Sequence, residues 1–258
     1  MRIASVFFFT VVSTFLLVSC SEQPEQTAQK ELLIYCGTTM AGAVRSVADE
    51  FEKKEDCVIK ILSEGSGNLL LSIRINRVGD LFLPGSEQYV EACRQEGLVD
   101  QTKIIGYNRA VLLVAKGNPL NLTPDLTQFV SGRYRTVLGI AESSSIGKET
   151  REILTQQGLY DVAINHATFL ATDSKDILEL LRSGKADLAL NWTASALTSP
   201  ENREAVDLIA LPKPLRHSHP LIMAVLTTAR QPELADKFLD WITCDVGRSI
   251  LASYGFGD

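Results

Sequence analysis

From residue 31 onward, short apolar runs alternate with stretches in which apolar residues recur at helical spacing. Residues 32–36 read as a strand. Residues 41–54 then place Val44, Val47, Ala48 and Phe51 on one helical face. A strand at 58–62, a helix at 66–77, a short strand at 81–83 and a helix at 86–96 closed by Gly97 continue the pattern. Three strand–helix units in a row predict a parallel sheet with right-handed crossovers. The second half repeats this grammar. It shows strands at 110–115 and 136–141, a helix at 147–157 stopped by Gly158, a strand at 166–171, a helix at 174–182 and a strand at 186–192. Late strands at 206–211 and 221–227 precede one or two closing helices within 232–254.

Two stretches, 107–117 and the proline-containing 213–220, read as passages between lobes. The expected fold is therefore α/β with two lobes, each a mostly parallel sheet flanked by helices. Residues 31–106 and 221–258 form the first lobe and 118–212 the second. Open sheets of this kind hold ligands beyond the carboxyl ends of their strands, here in the cleft between lobes.

The chain opens MRIASVFFFTVVSTFLLVSC, a basic start, an apolar stretch and a Leu-Val-Ser-Cys sequence that resembles the lipobox of bacterial lipoproteins. Residues 1–19 are expected to be a lipoprotein signal peptide, Cys20 the lipidated residue, and 20–30 a polar, flexible tether to the membrane.

The 258 residues carry 25 Lys and Arg against 31 Asp and Glu, a net charge of −6. With no basic cluster interleaved with aromatics, this excludes a nucleic-acid partner. Besides Cys20 there are four cysteines, Cys36, Cys57, Cys93 and Cys244, which admit three disulfide connectivities or buried free thiols. Neither C-x-x-C spacing nor a paired histidine motif is present, so neither a metal site nor a cofactor is expected.

Four strand-to-helix corners share one chemistry: Cys36-Gly37-Thr38-Thr39-Met40, Glu64-Gly65-Ser66-Gly67-Asn68, Ser143-Ser144-Ser145-Ile146-Gly147 and Thr172-Asp173-Ser174. Each brings small or hydroxylated residues to a helix N-terminus, and none of them places Lys or Arg in the corner itself, with Lys148 just inside one helix. Taken singly, Ser66 or Asn68 is an ordinary helix cap. Four such corners together suit a small oxyanion held by neutral dipoles.

The order of these corners, the phrase SGKADLALNW and the ending GRSILASYGFGD resemble the periplasmic molybdate-binding proteins, the receptors of molybdate ABC importers. The resemblance runs over most of residues 31–258. It implies hydroxyl donors at Thr39, with Thr38 beside it, and at Ser66, and backbone amides at Ile146 and Ser174. Where the family has a tyrosine hydroxyl, this chain has Trp192, whose indole offers one N–H and no hydroxyl, so the contact is replaced, lost or passed to Asn191 or Thr193. Glu64, Glu142 and Asp173 lie close to the corners. They either stabilise helix starts from solvent or, turned inward, favour a protonated or organic ligand.

The function implied is a monomeric, lipid-anchored, extracytoplasmic solute-binding protein without enzymatic activity. It would present molybdate or tungstate to an ABC permease. The alternative is a module of the same fold that binds a phosphate-like or organic anion or acts as a sensor. Ser145-Ile146-Gly147-Lys148 also fits the S-x-x-K motif of penicillin-recognising enzymes, but no S-D-N or K-T-G partner accompanies it. His217-Ser218-His219 reads as a solvated connector in a proline-flanked passage.

Overall fold

A computed structural model describes residues 29–256; the expected signal peptide, Cys20 and nearly all of the tether lie outside the described residues. The first half runs β1 (Lys30–Gly37), α1 (Ala41–Glu55), β2 (Cys57–Glu64), α2 (Ser66–Asn76), β3 (Leu81–Leu83), α3 (Glu87–Gln95) and β4 (Val99–Ala115). The second half follows as β5 (Thr136–Gly139), α4 (Ser145–Gln156), α5 (Tyr160–His166), β6 (Phe169–Ala171), α6 (Ser174–Arg182), β7 (Leu188–Trp192), α7 (Thr193–Leu197), α8 (Pro200–Ala205) and β8 (Val206–Ile209). The chain closes with β9 (Ser218–Leu226), α9 (Pro232–Ile242) and α10 (Asp245–Ser253).

The strands lie in the order β2-β1-β3-β9-β4-β7-β5-β6, with β8 also on β4. β1 pairs in parallel with β2 and β3, and β5 with β6 and β7, while β4 and β9 run antiparallel to their neighbours. β4 changes partners midway. Up to Arg109 it faces β9, and from Ala110 it faces β7. One strand thus belongs to both halves, and together with β9 it forms a two-stranded ribbon between them.

Strand alternation explains the burial. In β1, Leu32, Ile34 and Cys36 enter a core with Val44, Phe51, Leu81 and Phe238, whereas Tyr35 faces a second core with Leu69, Ile73 and Phe82. Strands buried on both faces are apolar throughout, as in other parallel sheets covered by helices. The second half has its own core around Leu112, Phe129, Leu138, Ile153, Leu178 and Leu190. Phe51 meets Phe238 edge-to-face at 5.2 Å, which locks α1 against α9.

Five elements differ from the sequence reading. Residues 99–109, not read as a strand, pair with β9 and run on without a break into the strand expected at 110–115, because the change of partner lets one strand, β4, cross between halves. Residues 160–166 form α5, and β6 starts only at Phe169; Gly158, at φ +67°, ends α4 and allows the chain to restart as a helix. α7 and α8, which the sequence pattern did not reveal, follow β7.

The four cysteines are free thiols, three of them buried. Burial pushes the thiols of Cys36 and Cys93 up, Cys93 to about 11, so they remain protonated core residues. Asp80 is also buried. Its carboxylate accepts the N–H of Leu33 and that of Arg230, both at 2.7 Å, tying β1 and the turn after β9 to β3. Asp80→Ala is expected to cost about 3 kcal/mol in urea unfolding, because two N–H donors lose a charged acceptor. A loss below about 1 kcal/mol would show that solvent replaces it.

The two halves touch through backbone. The N–H of Gly67 at the start of α2 donates to the Ser143 carbonyl at 2.9 Å. A Cβ on Gly67 would lie 2.0 Å from the Glu142 carbonyl oxygen, and one on Gly65 2.4 Å from that of Ser143. Gly67→Ala is therefore expected to leave both lobes folded but hold them apart. Small-angle X-ray scattering should register a larger radius of gyration, and an unchanged radius would mean that the contact yields.

Candidate functional site

The starts of α1, α2, α4 and α6 converge on one cavity of about 10 Å³, lined by Thr38, Thr39, Ser66, Ser145, Ile146, Ser174 and Trp192 among others. That is room for about one water. Two of the helices belong to the first half and two to the second, so the positive ends of four helix dipoles face one point across the cleft. Among the described residues, the N–H groups of Thr39, Ser66, Ser145, Ile146 and Ser174 donate to no protein acceptor.

Hydroxyl groups bridge the cleft. Ser174 Oγ lies 2.6 Å from Thr39 Oγ1 and 2.8 Å from Thr38 Oγ1, one hydroxyl of the second half between two of the first. Ser66 does not cap α2. The N-cap is Gly65, without a side-chain cap bond, and the Ser66 hydroxyl instead accepts the N–H of Gly85 at 3.0 Å while lining the cavity. Asp173 does cap α6, accepting the N–H groups of Lys175 at 2.7 Å and Asp176 at 3.0 Å. Ser144 caps α4 by accepting from Gly147.

Trp192 is 1 % exposed. Its indole N–H does not point freely into the cavity but donates to Ser145 Oγ at 3.2 Å. Asn191 also turns inward within the second half, donating to the Ser174 carbonyl at 3.0 Å and accepting from the backbone N–H of Trp192 at 2.8 Å. Thr193 donates to the Arg109 carbonyl at 3.0 Å. Ser145 is thus the cavity hydroxyl that the resemblance did not assign. Its signal in the sequence was position, one residue after the N-cap serine of α4.

Of the three acids near the corners, Asp173 is occupied as a cap. Glu142 is exposed and paired with Arg151 at 3.0 Å, and Glu64 is exposed at the rim. The cavity lining contains no Lys or Arg. The arrangement presents backbone N–H and hydroxyl donors alone, from both halves at once, and an anion larger than a water fits among them only when the halves part and the Ser174–Thr38 and Ser174–Thr39 bonds exchange.

A groove of about 300 Å³ adjoins this cavity, sharing Thr38, Thr39 and Ser174 with it and extending to Lys175, Arg182 and Asn202. Among the described residues no group of acids, histidines and cysteines is placed to hold a metal ion.

Comparison with known proteins agrees with this architecture. The profile of the bacterial extracellular solute-binding protein family matches residues 32–257. The molybdate-binding protein ModA of Mycobacterium bovis is 23 % identical over 237 residues, 90 % of this chain and 86 % of that protein. Among solved structures, the periplasmic molybdate-binding protein of Azotobacter vinelandii superposes with a TM-score of 0.75 at 16 % identity, covering 87 % of this chain and 98 % of that one. The sulfate-binding protein SubI of Mycobacterium tuberculosis superposes at 0.74 and 14 % identity, covering 88 % and 86 %. Two lobes, a shared ribbon and a cleft of helix starts thus accompany a family match over nearly the whole described chain, and the protein belongs to the bacterial extracellular solute-binding proteins, where it is similar to the periplasmic molybdate-binding proteins.

Proposed function

We propose that this solute-binding protein is a lipoprotein, anchored through Cys20, that captures a tetrahedral oxyanion, molybdate or tungstate, between its lobes and delivers it to an ABC permease. One observation carries the reading: Ser174 of one lobe meets Thr38 and Thr39 of the other at 2.6–2.8 Å, beside the N–H groups of Thr39, Ser66, Ser145, Ile146 and Ser174, which among the described residues donate to no protein acceptor. A dianion entering there exchanges hydroxyl–hydroxyl bonds for charge-assisted ones and engages both lobes at once. Binding from both sides favours the closed arrangement over the open one, which is the differential affinity that a hinge needs.

Trp192 fits this reading as a positioning residue. Because its N–H donates to Ser145 Oγ, the hydroxyl proton of Ser145 is left to donate to an anion oxygen. The tyrosine hydroxyl that the resemblance implies is in effect moved onto a serine. No reaction is proposed. Lys148 Nζ stands over the Tyr89 ring at 5.5 Å, which gives no support to an S-x-x-K nucleophile at Ser145.

The adjoining groove favours a second reading, an organic anion whose charged head occupies the helix starts and whose body lies toward Arg182 and Asn202. A thermal-shift panel of molybdate, tungstate, sulfate, phosphate and small organic acids separates the two. At a hundred times its dissociation constant a ligand adds about 2.7 kcal/mol, or roughly 5–10 °C for a chain of this size. A response confined to molybdate and tungstate is expected, and a response to organic acids alone would transfer the assignment to the second reading. Ser174→Ala is expected to leave the unfolding midpoint of the free protein within a few degrees and to weaken anion binding about tenfold, the effect of one lost hydrogen bond to a charged group. Calorimetric titration checks this, and undiminished affinity would remove Ser174 from the contacts.

A further inference from the structure

His219 stands where the lobes meet, and none of the proposed anion contacts uses it. On β9 it lies opposite Asn108 of β4, within the ribbon that joins the lobes. Its side chain is 12 % exposed and its ring meets the Trp192 indole edge-on at 5.9 Å. Nε2 is 3.0 Å from Oε2 of Glu149, which α4 contributes from the second lobe, and Nδ1 is 3.5 Å from Oε2 of Glu87, at the start of α3 in the first. One imidazole on the connecting ribbon therefore sits between a carboxylate from each lobe.

A neutral imidazole has one N–H to offer, and an imidazolium has two. With the ring neutral, closing the cleft brings two acids to one partly buried site without a counter-charge, and unpaired buried charge is costly. Neither Nε2 nor Glu87 Oε2 has a well-aligned hydrogen bond in the protein, so the attraction is chiefly one of charge and depends on the proton. Among the described residues no Lys or Arg pairs with Glu87 or Glu149. From α4, Lys148 is turned to the Tyr89 ring, and Glu152 accepts from Gln88 of α3 at 3.2 Å. From β4, Arg109 reaches Ser218 Oγ at 3.5 Å, while Asn108 is neutral. From β9, His217 lies ring to ring at 6.4 Å, and β7 presents Trp192.

We propose that the protein takes up a proton together with its anion: His219, held between Glu87 of one lobe and Glu149 of the other, is a proton site that favours the closed cleft. The proposal rests on the two-lobe binding reading above, but not on which anion is bound. In this closed arrangement the pKa of His219 is raised, first by the Glu149 carboxylate, against the opposing effect of burial, and then by Glu87. Opening withdraws one carboxylate or both, so the pKa falls back toward its ordinary value. The latch is therefore fully present below the open-state pKa and is lost as pH rises through the raised, closed-state value.

The test titrates the purified protein with sodium molybdate by calorimetry at about pH 6 and about pH 8.5, either side of the ordinary histidine range. The wild type is compared with His219→Gln and Glu87→Gln, the latter at the more exposed of the two acids in case the former misfolds. Binding about fivefold or more tighter at the lower pH is expected for the wild type, the lower end of ordinary site-to-site coupling. Proton uptake should appear as a buffer-dependent heat at about pH 7, between the open-state and closed-state values, and the pH ratio should fall toward one in both variants. A ratio unchanged by either substitution, or binding without proton uptake at that intermediate pH, overturns the proposal. Should molybdate not bind at all, small-angle scattering of the ligand-free protein decides separately. A radius of gyration that grows with pH in the wild type but not in His219→Gln upholds the latch while the molybdate reading falls, and a radius independent of pH in both discards the latch.

Discussion

The cleft depends on how closely two backbones can approach. Where α2 meets the loop before α4, the N–H of Gly67 reaches the carbonyl of Ser143, and Gly65 and Gly67 leave no space in which a Cβ could stand. Gly85 is under the same constraint, since a Cβ there would lie 2.3 Å from Ser145 Oγ. These contacts set the distance between the helix starts, and that distance brings Ser174 within hydrogen-bond range of Thr38 and Thr39. With bulkier residues the same four helices would still point at the cleft, but their donors would not converge on one small anion. The glycines act here through close approach rather than through unusual backbone angles.

Convergence of neutral donors also reconciles an anion site with a chain of net charge −6. Partial charges at helix starts act over short distances, so they define where an anion is held without requiring the whole surface to attract it. An anion held only by dipoles and hydroxyls can leave when the lobes part, because parting removes half of its donors in one motion. The separate hydrophobic cores make such motion inexpensive. The first lobe is packed on both faces of its sheet, the second around Leu112, Phe129 and Leu190, and the two are joined chiefly by the ribbon of β4 and β9. Opening therefore need not disturb close-packed interior, which resists continuous deformation.

Much of this was legible in the sequence because it is local. Helical spacing located α1 to within a residue, and hydroxyl-rich corners located Thr38, Thr39, Ser66 and Ser174 at helix starts. What escaped depends on partners distant in the chain. The length of β4 follows from two different neighbours, β9 and β7, that no window of residues contains. The short helices α7 and α8 have five and six residues, too few for a periodic signal. His219, read as a solvated connector, is enclosed by α3 and α4, which lie far from it in sequence on opposite sides. Ser66 shows the same limit from the other direction, since a serine at a helix start is the usual cap and only the position of Gly85 reveals that its hydroxyl serves the cleft instead.

Trp192 links the cavity at the helix starts to the charged cluster behind it. One edge of the indole donates to Ser145 at the start of α4, while its ring packs against His219. Glu149 lies one turn further along α4, with its carboxylate against His219. Left uncompensated, that acid would oppose the bound dianion across a partly buried wall, where charges are weakly screened. A proton on the imidazole beside it would offset that acid. Ser145, Trp192, His219 and Glu149 therefore form one electrostatic unit, in which a large, poorly solvated side chain separates a site for negative charge from the site that balances it.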